Sequence, residues 1–432
     1  MKEAPRGTKT LFGQCDRALN AWGSGARRWS TWVPGRIEVL GKHTDYAGGR
    51  SLLCALERGF CARVSPRRDA TLRIFDVAGG TTFETTLTTH ASGKAGHWTD
   101  YAATVARRVA RNFPGRLRGA DICFLSDLPS AAGMSSSSAL LISVFLAVSK
   151  ANSLSRRAEY RGSIASTEDL AAYLGAMENG RPFRRLDGGA GVGTMGGNQD
   201  QVAILCSQAG ALARYGWSPV HRESMIAMPD GYVFALAASG VAAPKTGSAM
   251  ARYNHASMAV QRLTQAWNTR SRRNDPMLYD AVVSGRGAVN ELRDLAATLG
   301  NRQFTASFMV ARFEQFVHEA TEIIPAACDA LARGALVEFG LLVDRSQQLV
   351  EDKLGNQIPE TVALQRQARA LGAVAASAFG AGFGGSVWAL VPRRGARAFL
   401  ADWKSAYAKA HPGHTATAQF FLSAPGPPAY WF

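Results

Sequence analysis

The chain has 432 residues, of which 47% are hydrophobic and 19% charged, and its formal net charge at pH 7 is +16. This length predicts two domains, and the composition is that of a globular protein without a membrane-spanning segment. The basic residues are scattered in pairs rather than gathered in a tract with interleaved aromatics, which argues against a nucleic-acid partner. Six cysteines without a paired spacing and an N-terminus without a continuous apolar stretch predict a cytoplasmic protein without a leader peptide.

The first strongly patterned segment is residues 33–49. Its first half alternates as a β-strand does and places Arg36 and Glu38 on one face. The glycine-bounded turn that follows contains Lys42, His43, Thr44 and Asp45. These polar side chains fit a polyhydroxylated ligand, and a solvated loop explains them equally well. Further along, a helix predicted over 97–112 carries Trp98 and Tyr101, which either flank an adenine ring or pack in the core.

Residues 120–148 predict a strand, a turn of small residues and a buried helix. This arrangement leaves free backbone N–H groups and the positive end of a helix dipole at one place, which suits a phosphate chain. A flexible serine-rich linker is the alternative, but ten mostly apolar residues follow the serines. The residues of the predicted phosphate site are Ala132, Gly133, Met134, Ser135, Ser136, Ser137 and Ser138.

A helix is predicted over residues 167–177, and Glu178 stands at its end. A glycine-rich stretch at residues 188–197 then leads into an apolar segment that begins with a polar cluster around Asp200. An aspartate in this position is a candidate general base, although an aspartate before a helix is more commonly an N-cap.

The composition changes at about residue 230, where a second unit is predicted to begin. We expect a strand over residues 231–238, and the predicted helices cover residues 253–266, 313–332, 337–349 and 359–371. A glycine loop at residues 379–385 runs directly into a strand. Such a loop fits a phosphate site, but tight packing alone also demands glycine.

Three of these segments, in this order, resemble motifs of the GHMP kinases and, among them, of the galactokinase branch. Residues 34–49 are similar to the galactokinase signature PGRVNLIGEHTDYNGG, residues 129–139 to the phosphate loop PxGxGLSSSA, and residues 380–386 to the third motif GAGFGGC. The resemblance implies an α+β fold of two domains with the active site in the cleft between them. Residues 1–229 would form the N-terminal domain with a left-handed βαβ unit, and residues 230–432 a ferredoxin-like C-terminal domain.

The resemblance also implies roles for individual residues. Asp200 matches the catalytic base that takes the proton of a sugar hydroxyl as it attacks the γ-phosphate of ATP, and Arg36 matches its partner. Ser137 and Glu178 match the Mg²⁺ ligands. The implied sugar contacts are Lys42, His43, Asp45 and Tyr253. The implied nucleotide contacts are residues 132–138, Gly382 and Gly384.

Several positions depart from the galactokinase pattern. The 22 residues from Glu178 to Asp200 are more than galactokinases have, which indicates an insertion at residues 180–191 and makes the role of Glu178 less secure. Gln199 replaces the methionine before the catalytic Asp-Gln. Ala131-Ala132 replace glycines of the phosphate loop, and Ser377-Ala378 replace an Arg-Met pair before the third motif.

Lys42 is the departure that bears on the substrate. The galactokinase signature has a glutamate here, which accepts a hydrogen bond from the sugar's primary hydroxyl, whereas lysine can only donate. The hypothesis is that the pocket disfavours galactose itself and takes an anionic sugar such as a uronic acid. Alternatively, Lys42 turns to solvent or pairs with Glu38, where galactokinases often have asparagine.

The predicted function is an ATP- and Mg²⁺-dependent kinase that phosphorylates the anomeric hydroxyl of galactose or a related sugar. The alternatives are a GHMP kinase for another small alcohol and a non-catalytic sugar sensor. The predicted partners are the sugar and ATP alone, without nucleic acid or membrane, and the sequence does not define an oligomeric state.

Overall fold

The computed structural model describes residues 4–5, 7–242 and 248–432, and it contains two β-sheets with helices packed against them. The strands are β1 (Trp29–Leu40), β2 (Arg50–Pro66), β3 (Thr71–Asp76), β4 (Thr81–Thr86), β5 (Ala120–Ser126), β6 (Ala211–Trp217), β7 (Val220–Ala227), β8 (Tyr232–Ala238), β9 (Ala375–Phe379), β10 (Ser386–Pro392), β11 (Gln419–Ser423) and β12 (Tyr430–Trp431).

The α-helices are α1 (Lys9–Ala21), α2 (Trp98–Asn112), α3 (Ser136–Asn152), α4 (Ala158–Arg161), α5 (Thr167–Asn179), α6 (Gln199–Cys206), α7 (Ser248–Ser271), α8 (Leu278–Val282), α9 (Ala288–Thr298), α10 (Ala306–Val317), α11 (Ile324–Ala332), α12 (Leu336–Leu349), α13 (Pro359–Ala370) and α14 (Ala396–Ala410). Turns of π-helix follow α10 at His318–Ile323 and α12 at Val350–Leu354. In the described parts of the chain, no helix has the length and apolar character needed to cross a membrane.

The larger sheet contains strand β1, on which Arg36 and Glu38 lie. Its strand order is β12-β1-β2-β5-β3-β4, and the hairpin β6–β7 also pairs with β2. Strands β3 and β5 pair in parallel, with β4 and α2 in their connection, while the other pairings between described strands are antiparallel. Helix α3 packs on β1 and β2, and because its sequence is apolar all round it is buried along most of its length. Strand β1 is consequently buried at all twelve positions.

The smaller sheet is antiparallel, with the order β11-β8-β10-β9. Helices α13 and α14 cover one of its faces, where Leu364, Trp403 and Tyr407 pack against its small residues. The proposed boundary near residue 230 lies between β7 of the larger sheet and β8 of the smaller one. The last strand does not follow this division, because β12 returns to pair with β1.

Two local predictions differ from the structure. The helix predicted over residues 313–332 begins at Ala306, and a π-helical turn interrupts it before Ile324. Asp200 is not an N-cap, because it lies within the first turn of α6 and Asn198 precedes the helix.

Candidate active site

A buried ion pair joins the two predicted catalytic residues. Arg36 comes from the middle of β1 and Asp200 from the first turn of α6. The Arg36 Nε atom lies 2.9 Å from Asp200 Oδ1, and Arg36 Nη1 donates to the carbonyl oxygen of Gly133 at 2.5 Å. The guanidinium is 2% exposed, so it stabilises negative charge on Asp200 with little screening by water. Residues 164 positions apart are thus held together beside the phosphate loop.

Glu178 lies next to this pair, and Ser138 connects the two carboxylates. Ser138 Oγ is 2.9 Å from Glu178 Oε2 and 3.3 Å from Asp200 Oδ2. Gln201 Nε2 also donates to Glu178 Oε2, at 2.7 Å. Sequence reasoning missed this role of Ser138, because the galactokinase motif aligns with only the first three of the four serines. Ser137, the predicted magnesium ligand, lines a neighbouring cavity instead.

Glu178 lies close to Asp200 despite the insertion inferred at residues 180–191. Val192 N donates to the Glu178 carbonyl oxygen at 2.9 Å, and Gly189 N donates to that of Gly180 at 3.0 Å. The backbone crossing is tight, since a Cβ atom on Gly191 would lie 2.3 Å from the Glu178 carbonyl oxygen. The two ends of this segment therefore meet beside Glu178, while Leu186 within it is buried in the core.

A single cavity is lined by all of the predicted catalytic and sugar-contacting residues except Lys42. These are Arg36, His43, Asp45, Asp200 and Tyr253, and Glu178, a predicted magnesium ligand, also lines this cavity. The rings of His43 and Tyr253 lie 5.0 Å apart, and burial raises the pKa of the Tyr253 phenol well above its usual value. Tyr253 therefore stays neutral and can donate a hydrogen bond to a ligand.

His43 connects the sugar-signature turn with the third motif. Its Nε2 atom lies 3.1 Å from the carbonyl oxygen of Ala381, and its Nδ1 atom lies 2.8 Å from the Tyr46 hydroxyl. A carbonyl oxygen can only accept, so the ring carries its proton on Nε2. Arg312 also stabilises the turn by donating to the His43 carbonyl oxygen at 2.5 Å.

Lys42 is fully buried and lies outside the cavity lining. Its ammonium group donates to Ser377 Oγ at 2.7 Å, and Ser377 Oγ in turn donates to Gln347 Oε1 at 3.0 Å. Burial lowers the pKa of Lys42, against the influence of the nearby Glu319, Glu38 and Glu351 carboxylates. The ammonium group thus neither reaches solvent nor lines the cavity, and the hypothesis of an anionic sugar receives no support from it.

Glu38 faces the cavity and is hydrogen-bonded to another departure from the galactokinase pattern, Gln199. Gln199 Nε2 donates to Glu38 Oε2 in a short hydrogen bond, and Gln199 Oε1 accepts from Ser51 Oγ at 2.9 Å. Burial raises the pKa of Glu38 to about 7, although Arg36 and Lys42 act in the opposite direction. The alternation of β1 places Glu38 beside Arg36, which is the signal that could have identified it as a site residue.

The second cavity, of about 350 Å³, lies along the serine turn. Helix α3 begins at Ser136, and the buried hydroxyls of Ser135 and Ser136 have no hydrogen-bond partner among the described residues. Trp98 and Tyr101 line the same cavity, so these two rings face a binding space as well as the core. A helix N-terminus with unpaired hydroxyls beside aromatic rings fits a phosphate chain attached to a planar base.

The third motif supports the phosphate loop from behind. Ser386 Oγ donates to the Ala132 carbonyl oxygen at 2.6 Å. A Cβ atom on Gly380 would lie 2.8 Å from the Gly133 carbonyl oxygen, so the two segments are in close contact. Gly382, predicted to contact the nucleotide, packs against Asn356 and does not line the second cavity. Gly384 is also outside that lining, and its φ of 133° accounts for glycine there.

The site offers few protein ligands for a metal ion. Among the described residues, no group of three or more His, Cys, Asp or Glu side chains is arranged to hold one. Glu178 and Asp200 nevertheless supply two carboxylates on either side of the Ser138 hydroxyl. Mg²⁺ is commonly bound by one or two carboxylates together with substrate phosphates and water, so this donor set fits a magnesium ion that arrives with a nucleotide.

Three sequence profiles match the chain. The galactokinase galactose-binding signature matches residues 25–66, the GHMP kinases N terminal domain matches residues 100–208, and the GHMP kinases C terminal profile matches residues 327–409. The first contains Arg36 and Glu38, and the second contains the serine turn, Glu178 and Asp200.

Curated relatives align over most of the chain. A galactokinase from Chloroflexus aggregans is 28% identical over 379 residues, which is 87% of each protein. A galactokinase from Glaesserella parasuis is 24% identical and covers 85% of this chain and 86% of its own length.

Solved structures share the fold. The galactokinase of Lactococcus lactis, determined with galactose, superimposes with a TM-score of 0.77 at 19% identity and covers 97% of this chain and 98% of its own. The Methanococcus jannaschii mevalonate kinase gives a TM-score of 0.54 at 12% identity, with coverage of 93% and 99%. The two-domain α+β fold predicted from the sequence is therefore confirmed.

Proposed function

The chain is a GHMP kinase of the galactokinase-like branch, and we propose that it transfers the γ-phosphate of ATP to the anomeric hydroxyl of galactose or a closely related neutral hexose. The observation that carries this proposal is the buried Arg36–Asp200 pair, because it lies where the polar cavity meets the phosphate loop. A base at this boundary can act on a hydroxyl on one side as the hydroxyl attacks a phosphate on the other.

Asp200 is the proposed general base. Its Oδ1 atom is held by Arg36, and its Oδ2 atom, 3.3 Å from Ser138 Oγ, belongs to a carboxylate that lines the cavity. A sugar hydroxyl placed against this carboxylate would lose its proton to it while attacking phosphorus. Arg36 would keep the base ionised before the reaction and stabilise charge as phosphate transfers.

The serine turn is the proposed triphosphate site. The N-terminus of α3 and the free hydroxyls of Ser135 and Ser136 supply donors for phosphate oxygens, and Trp98 and Tyr101 would flank the base. We propose that Ser137 and Glu178 contribute to binding Mg²⁺, with Ser138 positioning Glu178 by its hydrogen bond. When bound, the metal ion would neutralise charge on the transferring phosphate.

The proposed sugar is neutral because the cavity already contains several acidic side chains. Glu38, Asp45, Glu178 and Asp200 line it, and Arg36 is paired with Asp200. A carboxylate on the sugar would enter among like charges, and Arg36, which among the described lining residues is the one arginine or lysine, is already paired. We place the reaction in the cytoplasm, which the six unpaired cysteines support.

The test is a coupled ADP-release assay with galactose, other hexoses, mevalonate and homoserine, followed by identification of the phosphorylated position by NMR. We expect turnover with galactose or a close epimer and a product phosphorylated at the anomeric carbon. The Asp200→Asn variant should lower kcat by about 10²- to 10⁴-fold and still bind the sugar. Turnover of a non-sugar alcohol alone, or sugar binding without any turnover, would contradict the proposal.

A further inference from the structure

Only one of the two carboxylate oxygens of Glu38 has a hydrogen-bond partner among the described residues. Oε2 accepts from Gln199 Nε2, whereas the buried Oε1 atom has no hydrogen-bond partner among the described residues. The residue is only 3% exposed, and it lines the cavity beside Arg36 and Asp200. A buried carboxylate oxygen without a partner is costly, so its retention at the wall of a binding cavity points to a ligand group that pairs with it.

The hydrogen bonds around Gln199 indicate whether Glu38 acts as a donor or as an acceptor. The indole N–H of Trp217 can only donate, and it lies 3.0 Å from Ser51 Oγ. Ser51 Oγ therefore accepts from Trp217, and its own proton has two acceptors in reach, Gln199 Oε1 at 2.9 Å and Thr44 Oγ1 at 3.1 Å. The ionised Glu38 carboxylate can only accept, so the Gln199 amide points its NH₂ group toward Glu38 Oε2 and its oxygen toward Ser51. This leaves Oε1 as the acceptor of Glu38 that has no partner among the described residues, on a side chain that lines the cavity.

We propose that Glu38 is a specificity-determining residue that accepts a hydrogen bond from a hydroxyl or amino group of the bound sugar and excludes sugars carrying a carboxylate. Gln199 is the positioning residue that holds the Glu38 carboxylate in this orientation. The inference rests on the proposed function for the identity of the ligand as a sugar. It assigns the substrate class to neutral and amino hexoses rather than to uronic acids.

The substitution Glu38→Gln gives a sharp test, because it reverses the polarity without changing the size. The Gln199 NH₂ group would still donate to the carbonyl oxygen of a glutamine at this position. The new NH₂ group would then offer a hydrogen-bond donor to the sugar, whereas the wild-type Glu38 offers an acceptor. Asp121→Asn is the matched control, because Asp121 is a buried carboxylate at the far end of β5 that pairs with Arg67 and Arg73.

The experiment measures sugar binding by calorimetry at pH 8, where Glu38 is ionised, with turnover recorded separately. The probes are galactose, its four monodeoxy analogues at C2, C3, C4 and C6, and galacturonate. We expect Glu38→Gln to weaken galactose binding at least tenfold and to reduce the preference for galactose over galacturonate. One monodeoxy analogue, which lacks the donating hydroxyl, should bind wild type and Glu38→Gln within about a factor of two, since an absent hydrogen bond has no further energy to lose.

Two results would overturn the inference. One is galactose binding by Glu38→Gln that matches that of Asp121→Asn and wild type. The other is an equal loss across all the analogues, which would show a general disturbance rather than one hydrogen bond. A wild-type protein that binds galactose with this pattern but never phosphorylates it would contradict the proposed function and leave the role of Glu38 intact.

Discussion

The Lys42 ammonium group donates to the Ser377 hydroxyl across 2.7 Å, in a place where both side chains are fully buried. Lys42 stands where the galactokinase signature has glutamate, and Ser377 stands where the family has the arginine of an Arg-Met pair. The two departures are thus in direct contact. Where the family has a glutamate and an arginine, this chain has a lysine and a serine.

This contact predicts that Lys42 and Ser377 are energetically coupled. Lys42→Glu would bury a carboxylate near Glu319 and Glu351 and should lower the free energy of unfolding by about 3–5 kcal/mol. Ser377→Arg would bury a guanidinium beside the Lys42 ammonium and should also destabilise the fold. The double variant restores an acid–base pair, so urea unfolding should show a favourable coupling energy of at least about 1 kcal/mol.

Lys42→Met is the control for this cycle, because it keeps the length of the side chain and removes the charge. It should lower stability less than Lys42→Glu does. Single-variant losses that simply add in the double variant would show that the two positions are independent.

The serine turn predicts separate roles for Ser137 and Ser138. Ser137→Ala should raise the Mg²⁺ concentration required for half-maximal activity about tenfold, if one oxygen ligand is lost. Ser138→Ala removes the donor between Glu178 and Asp200 and should lower kcat about tenfold, with the Mg²⁺ requirement within a factor of two of wild type. Titrations of Mg²⁺ at saturating sugar distinguish the two. The opposite assignment would follow if Ser138→Ala, and not Ser137→Ala, shifted the Mg²⁺ requirement.

The buried Glu38 carboxylate predicts a pH dependence of stability. Its pKa rises from 4.5 to about 7 on folding because burial disfavours the charge, with Asp45 adding to the rise and Arg36 and Lys42 opposing it. Between these values the folded protein binds a proton that the unfolded chain has lost, so this group's contribution to stability falls as pH rises. The stability of Glu38→Gln relative to wild type should therefore increase by about 3 kcal/mol from pH 4 to pH 8.

Urea unfolding of both proteins at unit pH steps measures this difference directly. The Asp121→Asn variant serves again as the comparison, because the pKa of Asp121 is lowered in the folded protein and its pH dependence has the opposite sign. A difference between Glu38→Gln and wild type that stays constant with pH would contradict burial of an ionisable carboxyl group at this position.

Ala131 predicts a stabilising substitution in the phosphate loop. Its φ is 50°, in the left-handed region that favours glycine, and the galactokinase loop has glycine there. Ala131→Gly should relieve this strain and raise the free energy of unfolding by up to about 1 kcal/mol, after the entropy that glycine adds to the unfolded chain. The buried Ala132, which has no positive φ, is the matched position, and Ala132→Gly should be destabilising. A loss of stability in both variants would show that the Ala131 backbone is unstrained.

The sequence predicted elements well where local pattern and burial agree. The apolar run after the serines is a helix because every face of α3 is covered, and the prediction of a strand over residues 231–238 differs from β8 by one residue. The π-helical turn inside the predicted helix over residues 313–332 was out of reach, because nothing in a periodic apolar pattern encodes one extra residue per turn.

Site residues were predictable where a motif alone indicates their role, and less so where their position depends on partners distant in the sequence. Arg36 and Asp200 follow from the motifs, and their ion pair joins them as expected. The placement of Lys42 depends on Ser377, which is 335 residues away, and no local rule reveals that contact. The same holds for Gln199, whose orientation is set by Glu38 and Ser51 on strands β1 and β2.

The tight crossing at Glu178 and Val192 has a consequence for protein engineering. Hydrogen bonds fix the two ends of residues 181–189 beside Glu178, while Leu186 within the segment is buried in the core. A fluorescent reporter placed close to the sugar cavity should therefore be attached at an exposed position such as Arg185, with Leu186 kept in place. By the same reasoning, a motif search that fixes the separation of glutamate and aspartate along the sequence would pass over chains of this kind, whereas a search on three-dimensional proximity would find them.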